Sequence, residues 1–397
     1  MRLFPVLLSA ALLLGSTSPV WAQSKQIIGE ANPNLPFSTA VRAGGFIYVS
    51  GAIGKGGALS GDIRQQTRDT LDGIDATLKQ AGSSLASAAS LTVYLTSAAD
   101  VPAMNEVYAT YFKSAPPART TVIVTQPLAL PTGLVEISAI GIPAGAERTV
   151  IQPEGWAKVP APYSYGIRSG NTLFMSGLVS RNGKDNSVVP GDMAAQTKTV
   201  MDNAGEILKA AGMGFGDVVQ SRVWYDAPNN RELNPVYGSY FEGVAPPVRA
   251  AVRAGMPGKD FLLEVQMVAV KDPSRKAIVP PNPDGSPGRS GGVLSPAIQV
   301  GNTLYIAGML GSTPENKGDA KAQTVATLER IDAALKAAGY EWSQVVDSLV
   351  YLTDMSKFQD MNTAYRERFP KDPPARATIG VGLGGDALVE IMFTAVK

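Results

Sequence analysis

Three arginines and three glutamates recur in this chain in matched surroundings, and together they could bind and process a small carboxylate. Each arginine follows a Pro-Pro pair: PPARTTV carries Arg119, PPVRAAV carries Arg249 and PPARATI carries Arg376. Each glutamate lies in an apolar run that reads as a strand: LVEI around Glu136, LLEV around Glu264 and LVEI around Glu390. A guanidinium fork matches a carboxylate in bidentate geometry, and a carboxyl group beside it can orient water and move protons. The alternative is structural, with the arginine capping a turn and the glutamate neutralising it. Retention of both residues in all three copies favours chemistry, although a shared packing need would also preserve them. A pure carboxylate binder gains nothing from a second negative charge, so the glutamate favours catalysis over simple binding.

The 397 residues include no cysteine and no histidine. A thiolate nucleophile, a Ser-His triad, a histidine metal site and a ribonuclease built on paired histidines are therefore excluded. The net charge of +1 gives no footprint for nucleic acid or an anionic membrane. The expected partner is a small carboxylate-bearing ligand, with neither a metal nor an organic cofactor.

The elements that position these residues also repeat. Arg119 to Arg249 is 130 residues and Arg249 to Arg376 is 127. Gln66-Thr67, Gln196-Thr197 and Gln323-Thr324 start 16 residues before Gly82, Gly212 and Gly339, and Ser38, Ser164 and Ser295 stand 13 residues before Gly51, Gly177 and Gly308. That period is too long for a solenoid and long enough for a domain with its own core. We read unit one over 27–142, unit two over 156–271 and unit three over 291–397, with a short linker at 143–155 and a flexible one at 272–290.

Within a unit, Phe46 to Ser50 reads as a strand. Ile63, Thr67, Leu71, Ile74 and Leu78 then form an amphipathic helical stripe, ended by Gly82. A further strand, a second helix starting near Asp100, and two closing strands complete an α+β layer, a mixed sheet with two helices on one face. Asp354 takes the N-cap position in unit three. The uncovered sheet face must be hidden, and three linked copies predict packing around a pseudo-threefold axis, an intramolecular pseudo-trimer. The glycines read as turn formers, Tyr108, Tyr237 and Tyr365 as core, and the Gln-Thr pairs as helix-start packing.

Residues 1–22 read as a secretory signal, an apolar stretch from Leu3 to Leu14 followed by Val20-Trp21-Ala22 before the cut. The expected location is periplasmic or secreted, and the expected state a monomer.

The Ser-Gly strand end, the Gln-Thr helix, the Asn-x-x-Tyr helix, the Pro-Pro-x-Arg turn and the Val-Glu-Ile strand together resemble the RidA/YjgF/YER057c/UK114 family, over all three units. The resemblance implies chorismate-mutase-like domains with ligand clefts between neighbouring units, and hydrolysis of 2-imino acids and enamines to 2-oxo acids and ammonia. It gives carboxylate binding to Arg119, Arg249 and Arg376 and water positioning to Glu136, Glu264 and Glu390. It places Phe37 and Tyr163 on the cleft wall, where unit three has Leu294. Gly51, Gly177 and Gly308 offer backbone contacts, with Ala307 replacing the serine before Gly308. Asn105, Asn234 and Asn362, and the amides of Thr121, Ala251 and Thr378, complete the implied sites. On this reading unit three, and with it the cleft around Arg376, is the least complete.

Overall fold

The computed structural model describes residues 25–30, 34–54, 59, 61–282, 285–288 and 290–397; the expected leader lies outside them. Unit one runs β1 (Gln26–Ile28), β2 (Ala40–Ala43), β3 (Phe46–Ala52), α1 (Ile63–Gln80), β4 (Ala88–Leu95), α2 (Val101–Tyr111), β5 (Ala118–Ile123) and β6 (Val135–Gly141). Unit two repeats this as β7 (Thr149–Ile151), β8 (Gly166–Ser169), β9 (Thr172–Met175), α3 (Met193–Ala210), β10 (Val218–Tyr225), α4 (Leu233–Ser239), β11 (Val248–Arg253) and β12 (Leu263–Val270). Unit three follows with β13 (Lys276–Ile278), β14 (Ala297–Val300), β15 (Thr303–Leu310), α5 (Ala320–Ala337), β16 (Val345–Leu352), α6 (Phe358–Arg368), β17 (Ala375–Gly380) and β18 (Val389–Val396).

Each unit holds one six-stranded sheet, in unit one in the order β1-β2-β3-β6-β4-β5, with matching orders in the other two. Only the pair joined through the second helix, such as β4 and β5, is parallel. The expected linkers are part of this architecture. Residues 143–155 contain β7 and residues 272–290 contain β13, each the edge strand of the following sheet. Three-residue edge strands carry too short a pattern to be read from sequence.

The long helices begin and end as their sequences dictate. Asp62, Asp192 and Asp319 accept backbone N–H bonds at the N-caps. Gly82, Gly212 and Gly339 follow the C-caps with φ of 76°, 71° and 71°, the left-handed conformation that glycine adopts without a Cβ clash. The second helix differs slightly from expectation. Asp354 corresponds to Ser97 rather than Asp100, and both cap a one-turn 3-10 helix that precedes the α-helix.

One sheet face packs on the helices: Leu71, Ile74, Leu78, Met104 and Tyr108 meet Leu91, Val93 and Ile137. The opposite faces meet one another in a core shared by all three units, containing Tyr94, Trp224, Tyr351, Val252, Ile379 and Met392. Loop and strand ends pair around the axis: Ile123 with Gly255, Arg253 with Gly382, and Thr125 N with Gly380 O. A polar island interrupts this core, where Arg222 of unit two lies 3.7 Å from Asp347 of unit three and Gln266 Nε2 donates to Ser90 Oγ (3.3 Å). Among the described residues no helix is long and apolar enough to cross a membrane.

Candidate active site

Each site is built across a boundary between units, and the same seal closes all three. Ser38 N and Oγ donate to Pro374 O (2.9 Å) and Pro373 O (2.6 Å). Ser164 makes the same two bonds to Pro117 O (3.0 Å) and Pro116 O (2.6 Å), and Ser295 to Pro247 O (3.1 Å) and Pro246 O (2.7 Å). The Pro-Pro pair lies in the turn between the second helix and the arginine strand, and its carbonyls accept these bonds. Arginine from one unit thereby faces glutamate from the next.

Cleft one joins Arg119, Asn105 and Thr121 of unit one to Glu264, Tyr163 and Gly177 of unit two. Cleft two joins Arg249, Asn234 and Ala251 of unit two to Glu390 and Gly308 of unit three. Cleft three joins Arg376, Asn362 and Thr378 of unit three to Glu136, Phe37 and Gly51 of unit one, closing the ring. Further cross-boundary contacts include Thr121 N donating to Glu264 Oε1 (3.1 Å), Gly177 N donating to Arg119 O (3.1 Å) and Arg376 N donating to Ser50 Oγ (2.8 Å).

The arginines are held from their own unit. Asn105, Asn234 and Asn362 each accept one guanidinium bond, at 2.7, 2.8 and 2.8 Å. Tyr108, Tyr237 and Tyr365 each lie 4.8 Å from the guanidinium carbon, ring centroid to Cζ. These tyrosines are core residues, as read from sequence, and they also brace the arginine by cation–π contact. The implied asparagine contact is thus with the arginine.

The arginines and glutamates are 2–6% exposed, yet among the described residues no Arg–Glu ion pair within 4 Å links them. Arg119 Nε, Arg249 Nε and Nη1, Arg376 Nε and Glu264 Oε2 are buried without a hydrogen-bond partner. Groups that merely neutralised one another would be in contact; buried donors left unspent point to a ligand. Burial pushes all three glutamates up to about 8, against the opposing pull of the arginines. Backbone N–H bonds from Thr378 and Thr121 also oppose the rise for Glu136 and Glu264. Burial also lowers the arginines, Arg376 to about 10, which leaves Arg376 charged at neutral pH.

The glycines repeated in the three units have a reason other than a turn. Gly51, Gly177 and Gly308 are absent from the left-handed region. Each lies where a Cβ would overlap the carboxyl oxygen of its own unit's glutamate. A register shift between β3 and β6 at this point, repeated between β15 and β18, brings the glutamate against the glycine.

The incomplete cleft is cleft two, around Arg249, and not the one around Arg376. Arg376 Cζ lies 4.8 Å from the Phe37 ring and 5.7 Å from Phe358, and Arg119 lies 5.4 Å from Tyr163. The walls come from the following unit, so the substitutions Leu294 and Ala307 fall opposite Arg249. Among the described residues Ala251 N makes no bond to Glu390, and Ala307 has no hydroxyl to hold Arg249 as Ser50 holds Arg376. One positioning residue in each unit escaped the site reading: Gln66, Gln196 and Gln323. Their Oε1 atoms accept from Leu134, Leu262 and Leu388 N at 2.8, 3.0 and 2.8 Å, two residues before each glutamate. Their identical spacing was the available signal.

Fold and site define a tandem RidA-type protein whose three units close into one ring with three inter-unit clefts. The chain belongs to the family described as Endoribonuclease L-PSP, whose model matches residues 28–142, 157–271 and 289–397. A RutC family protein of Sulfurisphaera tokodaii is 46% identical over 111 residues, 27% of this chain and 89% of that protein. The 2-iminobutanoate/2-iminopropanoate deaminase of Mus musculus is 35% identical over 124 residues, 30% of this chain and 91% of that protein. A solved chorismatase matches 88% of this chain and 100% of its own at TM-score 0.52 and 15% identity, a likeness of fold alone.

Proposed function

We propose that this protein hydrolyses 2-imino acids and their enamine tautomers to 2-oxo acids and ammonia. The observation that carries the reading is the gap between a buried arginine with unspent donors and a buried carboxyl raised to about 8. The guanidinium takes the substrate carboxylate, fixing the imine carbon near the glutamate. Still protonated near neutrality, the carboxylic acid gives its proton to the imine nitrogen. The resulting carboxylate accepts a proton from water as the oxygen adds to carbon. The regained proton passes to nitrogen, and as the C–N bond breaks the carbinolamine hydroxyl returns its proton to the glutamate, forming the 2-oxo acid, releasing ammonia and restoring the carboxylic acid for another cycle. The deaminase named among the relatives supports this chemistry. The ribonuclease in the family's description gains no support from a chain without histidine and with a net charge of +1. An exported enzyme would meet imines formed by amino-acid oxidation outside the cytoplasm.

The test generates 2-iminopropanoate in situ with an amino-acid oxidase and traps it with semicarbazide. Purified protein lacking residues 1–22 should lower trapping. Activity that survives Arg→Ala at positions 119, 249 and 376 together would overturn the site assignment. Absence of turnover with measurable 2-oxo acid binding would identify a carboxylate-binding module instead.

A further inference from the structure

Cleft one has a wall built from a longer segment of sequence than the other two. From the bulge glycine to the glycine before the helix cap, unit two spans 14 residues (Gly177 to Gly191), whereas units one and three span ten (Gly51 to Gly61, Gly308 to Gly318). The extra length folds as a small hairpin, with Arg181 bridged to Val188, Val189 N donating to Ser180 O (2.9 Å) and Asn186 N donating to Asn182 O (2.8 Å). The hairpin is pinned to the segment entering unit two. Tyr165 OH donates to Asn186 Oδ1 (2.9 Å), Asn186 Nδ2 donates to Lys158 O (2.9 Å), and the Trp156 ring covers Gly183, where a Cβ would overlap it.

This construction fixes Arg181 beside the site. Its main-chain oxygen accepts from Asn203 Nδ2 (2.7 Å), its Nη1 donates to Asn186 O (2.6 Å), and its guanidinium stacks 4.9 Å from the Phe261 ring. Arg181 lines one small pocket, partly open to solvent, with Tyr163 and Gly177 of the unit-two wall of cleft one. Tyr163 stands in the field of both Arg119 and Arg181. A guanidinium has five donors, so a fork held at one edge can still serve a second acceptor. The residue at the same distance from the bulge glycine in unit three is Ser312, and in unit one Lys55, which lies outside the described residues.

We propose that Arg181 makes cleft one selective for 2-imino acids bearing a second carboxylate on the side chain, with Arg119 holding the α-carboxylate and Arg181 the distal one. The inference rests on the proposed hydrolase, but its primary test is binding. The protein carries Arg249→Met and Arg376→Met to silence clefts two and three. Titration calorimetry compares 2-oxoglutarate with pyruvate, and turnover compares 2-iminoglutarate with 2-iminopropanoate. The dicarboxylate should bind about tenfold more tightly, the scale of one added charge-assisted contact. Arg181→Met should bring the ratio of dissociation constants near unity, and Arg181→Lys should restore part of it. A ratio unmoved by Arg181→Met overturns the proposal. If that variant does not fold, the parent decides, and equal affinity for the two acids overturns it. Selective binding without turnover of either imine would leave the selectivity standing and sink the hydrolase reading.

Discussion

At the scale of single residues, the glycine beside each glutamate sets the carboxyl group's position. Gly177→Ala should force Glu264 away from its place over cleft one, because the new Cβ overlaps its carboxyl oxygen. We expect a stability loss of about 1–3 kcal/mol, typical of overpacking, and at least ~10-fold lower cleft-one turnover if Glu264 is the proton donor. Measuring denaturant midpoints alongside turnover separates the two effects. The raised carboxyls also fix a pH dependence. A group ordinarily near 4.5 and held near 8 in the folded state binds more protons folded than unfolded. Its contribution to stability is complete below 4.5 and is lost as pH rises through about 8. Thermal midpoints should therefore fall as pH rises from about 4.5 to about 8 and level off above it, and the triple variant Glu136→Gln, Glu264→Gln, Glu390→Gln should flatten that slope. Turnover by the acid form should decline above pH 8. The sequence showed which residue types recur, but the reason for Gly51 could not be read there, because it lies in a bulge that brings β3 and β6 together.

At the scale of elements, the glutamine on each long helix ties the helix to the glutamate strand. Gln66→Leu should leave Leu134 N unsatisfied in a part-buried setting, costing about 1–3 kcal/mol. Differential scanning calorimetry checks the loss, and an unchanged midpoint would remove the strand-anchoring role. The long helices and central strands were legible because apolar periodicity and glycine stops agree. The edge strands β7 and β13 were not, since three residues between turns carry no period. Nor was the pairing of cleft walls: Glu264 and Thr121 meet across 143 residues of sequence, and no local spacing says which neighbour supplies which wall. Hence the deficit carried by Leu294 and Ala307 was read beside Arg376 and belongs beside Arg249.

At the scale of the molecule, ring closure within one chain makes assembly unimolecular. The thermal midpoint should be unchanged over a hundredfold dilution, and sedimentation of the full chain should give a single-chain mass of 41.5 kDa. A midpoint that rises with concentration would indicate association between chains. The Arg222–Asp347 contact near the axis carries a further consequence. In a ring of identical subunits every mutation arrives in triplicate, so a lone cation beside a lone anion around the axis is forbidden by symmetry. A single gene encoding all three positions escapes that rule. Each cleft can drift, specialise or fall silent by its own point changes while its neighbours keep working.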